Sequence, residues 1–82
     1  MEKRDRAEAL ISHGKQQLKQ VALDFGMQFA RSLRQHIETL IGQLQESLTQ
    51  DDEIHIEQYA TDLRFQLDEL SQQMRQHSTL NL

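Results

Sequence analysis

Apolar side chains recur along this chain at alternating steps of four and three, in three separate runs. The first is Ala7, Ile11, Gly14, Leu18, Val21 and Phe25. The second is Leu33, Ile37, Leu40, Leu44 and Leu48, and the third is Ile56, Tyr59, Leu63, Leu67, Leu70 and Met74. At about 100° per residue, each run lies on one face of a helix. No run is long enough to hold a helix together alone in water, so each stripe must be buried on the others or on a partner. The pattern predicts an all-α fold, an antiparallel three-helix bundle with short loops. Its helices are expected over residues 3–25, 29–49 and 52–76, in one domain covering 1–76, with a frayed tail over 77–82.

The breaks between the runs carry their own chemistry. Pro is absent, so the helices must end at Gly or at polar clusters. Gly26 follows Leu23-Asp24-Phe25, where a left-handed terminating residue belongs. The first stripe, continued by seven from Phe25, reaches Ser32, whereas the second uses Leu33, so the register slips across residues 26–29. One continuous helix through Gly26 is the alternative. The second break is the polar run Thr49-Gln50-Asp51-Asp52-Glu53. Asp52 suits the N-cap, and Asp51, Glu53 and Glu57 suit the positive end of a helix dipole. Gly14 lies on an apolar stripe, which a close helix–helix approach would explain.

Little in the chain points to catalysis. Cys is absent, which rules out disulfides and thiolate metal sites and fits a cytosolic protein. His13, His36, His55 and His77 stand far apart, without the His-x-x-x-His spacing of a helical metal site. Ser12-His13 and His77-Ser78 are adjacent pairs, and neighbours on a helix diverge by about 100°, a poor geometry for a nucleophile and its base. Asp52-x-x-His55 is the nearest approach to a carboxylate–histidine ligand motif; it occurs once and is already explained as a cap. The three glycines are too dispersed for a phosphate loop. The chain is therefore read as not an enzyme, with no metal and no cofactor of its own.

The charge distribution bears on partners. Residues 1–50 carry seven basic and six acidic side chains, and residues 51–82 carry two and seven. An acidic last helix argues against nucleic acid, and Lys3, Arg4 and Arg6, interleaved with Glu2 and Asp5, read as a solvated helix face. No run approaches the roughly 18 apolar residues of a membrane span, and the charged start is not a secretory signal. Leu23, Ile54 and Phe65 fall off the stripes, as scattered surface residues or as a secondary contact surface.

Three segments in order resemble a known family. Lys3-Arg4-Asp5-Arg6-Ala7-Glu8-Ala9-Leu10-Ile11 resembles the start of the long lid helix of seventy-kilodalton heat-shock chaperones of the DnaK type. Gln50-Asp51-Asp52-Glu53-Ile54-His55-Ile56-Glu57 is similar to the turn that opens a later lid helix, and Leu63 to Met74 to the closing helix. Leu23-Asp24-Phe25-Gly26 resembles an interhelical joint of some bacterial members. Asp5 stands where Asn is usual, Thr49-Gln50 replaces the usual Gly, and Asn81-Leu82 lacks the acidic ending of eukaryotic cytosolic members.

The resemblance implies a helical lid that closes over peptide bound in a β-sandwich substrate-binding domain and slows its release, in the cytoplasm. The implied partners are that β-sandwich and unfolded client peptides, with self-association possible for the fragment and with no nucleic acid or membrane. ATP would belong to an ATPase domain outside this chain. Glu8 falls at the acidic latch position, with Arg4 one turn earlier on the same face; Ser12 stands one turn later, at a position that is often polar or His in the family. Without the family, Arg4 and Glu8 form an i,i+4 ion pair worth a few tenths of a kcal/mol. The competing reading of the whole chain is a free-standing helical interaction or adaptor protein, as a homodimer in which a continuous first helix completes a four-helix bundle.

Overall fold

The computed structural model describes residues 2–80, with side chains described over 3–77. The chain forms three helices, α1 (Glu2–Phe25), α2 (Arg31–Thr49) and α3 (Glu53–Leu80), and no strand among the described residues. Consecutive helices run antiparallel. Thus α1 and α3 lie parallel, Lys3 meeting Glu57 near their starts and Gln17 meeting Ser71 farther along. The bundle is a rod with extents of 45 × 19 × 16 Å.

All three stripes point inward. Ala7, Ile11 and Val21 of α1, Ile37, Leu40, Ile41, Leu44 and Leu48 of α2, and Ile56, Leu63, Leu67 and Leu70 of α3 form one buried cluster. Ile41 is the one member outside the expected stripes. Leu18, Phe25, Leu33, Tyr59 and Met74 pack around the cluster, partly buried. At Gly14, α1 comes close to both of its neighbours. A Cβ placed there would stand 3.2 Å from Ile41 Cδ1 and 3.6 Å from Leu67 Cδ1. The missing side chain leaves room for the ends of these two, from different helices.

The first joint breaks the chain, so the continuous helix through Gly26 does not form. Gly26 takes φ 89° and its N–H reaches Ala22 O at 3.2 Å, a left-handed terminator of the kind glycine accepts without steric cost. A turn over 27–30 delays α2 to Arg31, two residues after the expected start. Ala30, immediately before it, is held at φ 48°, ψ 41° with no side-chain cap. This left-handed geometry costs a Cβ-bearing residue about 1–2 kcal/mol. The surroundings hold it there. Ala30 O accepts the first α2 bond, from Arg34 N–H at 2.9 Å, and the Arg34 guanidinium donates through Nη2 to Met27 O. Arg34 is buried as a result, although its charge marks it for the surface.

The second joint is a Schellman turn. Asp52 N–H donates to Ser47 O at 3.0 Å and Asp51 N–H to Leu48 O at 3.3 Å, with Asp51 left-handed at φ 59°. These are the crossed bonds that satisfy the last carbonyls of a helix. Asp52 then caps α3, its Oδ1 accepting from His55 N–H at 3.3 Å.

The third helix runs to Leu80 rather than ending near 76. No Pro or Gly interrupts this stretch, and its last described side chain has a partner. His77 packs edge-on against Phe25 and Phe29, at centroid distances of 5.2 and 5.1 Å, while the two Phe rings stack at 4.7 Å. Residues 81–82 of the expected tail lie outside the described residues.

Candidate functional site

The first turns of α1 carry two polar faces on opposite sides of its buried stripe. Arg4, Glu8 and Ser12 follow one another at steps of four on one side. Lys3, Arg6, Leu10 and His13 lie on the other, toward α3. Glu8 is two residues from both Arg6 and Leu10, or about 200° around the helix.

On the first face, Arg4 and Glu8 do not form a tight pair. Arg4 Nε stands 3.9 Å from Glu8 Oε1, and both side chains are well exposed. The Arg4 guanidinium points instead to the second joint, donating through Nη1 to Asp51 Oδ1 at 2.7 Å and through Nη2 to Leu48 O at 2.9 Å. Arg4 thereby ties α1 to the end of α2 and to the left-handed residue that follows it. Among the described residues the Glu8 carboxylate has only the distant Arg4 contact, which leaves its acceptor capacity for other donors.

The second face opens into a groove of about 510 Å³ between α1 and α3. Its floor is Ala9 and Leu10 from α1 and Ile56 and Ala60 from α3, and the two alanines leave the valley unfilled. Basic groups rim it: Lys3, Arg6 and His13 on one side, Arg64 on the other. Glu57 is the single acid, and it accepts a hydrogen bond from Lys3 Nζ at 3.1 Å. Sequence reading took Lys3 and Arg6 as a solvated face. It had no means to bring Arg64 opposite them, because that pairing depends on how distant helices align. Farther along, Gln17 Nε2 closes the seam by donating to Leu67 O at 3.3 Å and Ser71 Oγ at 2.9 Å.

Near the second joint, His55 Nδ1 and Asp52 Oδ2 lie 2.5 Å apart. The His55 ring and then its backbone N–H hold the Asp52 carboxyl below its ordinary value of 3.8. The pair is a capped helix start rather than a ligand set: among the described residues, no group of three His, Cys, Asp or Glu side chains is placed to hold a metal ion. Nor is any described helix long and apolar enough to cross a membrane. Leu23, Met27, Ile54 and Phe65 are exposed.

Comparison with known proteins gives one consistent answer. Over 77 residues, 94% of its length, the chain is 49% identical to a chaperone protein DnaK of Trichormus variabilis, and equally to a chaperone protein dnaK1 of Nostoc sp.. Over 75 residues it is 37% identical to a chaperone protein dnaK3 of Synechocystis sp.. The aligned stretch makes up 11%, 11% and 10% of those proteins, so the chain spans about a tenth of the length of the relatives it matches. No protein-family model and no solved structure matches it.

Proposed function

From homology to a segment of DnaK-type chaperones, we propose that this chain is the helical lid of such a chaperone. It closes over peptide held in a β-sandwich substrate-binding domain and slows its release. The observation that carries this reading is the 49% identity over 94% of the chain, with the family's motifs in the family's order. The mechanism is gating. Closed, the lid adds a docking free energy to the barrier for peptide escape; open, it allows fast exchange. No bond is made or broken, in keeping with a module built from packed stripes and caps. ATP is consumed elsewhere in the parent protein, which acts in the cytoplasm.

Within this reading Glu8 is the latch. It is exposed, only weakly engaged by Arg4 and carried on a rigid helix. Arg4 serves the latch from behind: its bonds to Asp51 and Leu48 O fix α1 against the second joint. The test is to graft residues 1–82 onto a substrate-binding domain from which the lid has been removed. Peptide dissociation should slow on grafting and speed up again in the Glu8→Ala graft. Unchanged dissociation rates on grafting would overturn the lid reading. A slowing that Glu8→Ala leaves intact would overturn the latch assignment.

A further inference from the structure

The groove between α1 and α3 is basic in a protein that is acidic overall. The chain carries a formal charge of −4, yet the groove gathers Lys3, Arg6, His13 and Arg64 against Glu57 alone. That one acid is already taken by Lys3. Among the described residues, neither Arg6 nor Arg64 has an ion-pair partner. Two unpaired guanidiniums thus face each other across a floor made by Leu10, Ile56 and two alanines. Guanidinium groups recognise carboxylates through paired N–H donors, and an apolar floor takes apolar side chains. A ligand that satisfies both has carboxylates along its edges and a stripe of apolar side chains between them.

We propose that this groove docks an acidic amphipathic segment of a partner protein. Carboxylates of the segment pair with Arg6 and Arg64, and its apolar side chains lie over Leu10 and Ala60. The lining residues of α1 run from Lys3 to His13, about 15 Å at 1.5 Å per residue, which matches two to three turns of a short helix. Nucleic acid fits less well. The lining contains no Phe, Tyr or Trp on which bases could stack, and the net negative charge of the chain opposes it. The groove lies on the side of α1 opposite Glu8. A lid latched through Glu8 therefore leaves it open, and this inference stands or falls apart from the lid reading.

The test uses the 82-residue chain and a fluorescent peptide of about twelve residues, with Leu at helical spacing and Glu elsewhere. Binding that weakens with salt, and is weakened about tenfold or more by the double variant Arg6→Glu/Arg64→Glu, supports the proposal. The melting curve of that variant checks that it folds. Ala9→Trp, which fills the floor without touching charge, should also weaken binding, whereas a peptide with Gln for Glu should not bind. Failure of the Glu peptide to bind would overturn the proposal. So would binding unchanged in the double variant, or equal salt-dependent binding of a single-stranded oligonucleotide or of anionic lipid vesicles. Sedimentation showing that a second copy of the chain covers the groove would overturn it as well.

Discussion

Asp52 secures the start of α3 with both of its carboxylate oxygens, one on the His55 backbone and one on the His55 ring. Because these bonds favour the charged form, the folded carboxyl titrates below its ordinary value of 3.8. The sign of the linkage follows. Its contribution is fully present above the unfolded pKa and is lost as pH falls through the lower, folded value. Asp52→Asn should therefore lower the thermal midpoint at neutral pH, and the gap from the parent chain should close between about pH 5 and 2. Thermal melts at several pH values check this; a gap that stays constant would mean that the carboxylate charge is not what holds the cap. Asp52 was legible in the sequence because N-caps follow a local rule. Arg34 was not, because a charge buried in order to satisfy a turn carbonyl depends on where the turn folds. The same holds for His77, which sets the late part of α3 against the last residue of α1, Phe25, and against Phe29 in the turn that follows.

At the level of elements, the apolar periodicity was the readable part, since helix geometry alone converts a 3–4 spacing into a buried face. Ile41 escaped it by standing next to Leu40, a position that becomes interior only when α1 approaches through Gly14. The two glycines within helices now separate by environment. A Cβ at Gly42 meets nothing within 4 Å, whereas one at Gly14 meets Ile41 at 3.2 Å. Gly42→Ala should accordingly stabilise the fold by about 1 kcal/mol through helix propensity. Gly14→Val should destabilise it by about 1–3 kcal/mol, because the added methyls have to displace Ile41 and Leu67. Urea titrations of the two variants check the pair, and equal shifts in the same direction would contradict the close approach. The groove between α1 and α3 was not legible for a related reason. Its basic residues are divided between segments some fifty residues apart, and only the parallel alignment of these two helices brings them to one surface.

For the molecule as a whole, a single core serves all three helices, so damage at its centre should be felt everywhere. Leu44 is fully buried in the C-terminal half of α2. Leu44→Ala removes about 2–5 kcal/mol from a fold whose total stability is on the order of 4–12 kcal/mol at this size. Helical circular dichroism of that variant should be lost in one transition at much lower urea, and two separate transitions would mean that the helices do not share the core. The helix count has a further, mechanical consequence. Three helices joined by short turns bring the chain in at one end of a 45 Å rod and out at the other. Tension applied between the ends therefore loads the parallel helices α1 and α3 in shear, along their whole shared seam. A two-helix hairpin, with both ends together, would peel open one contact at a time. The bundle is thus arranged to transmit a pull between its ends before it yields.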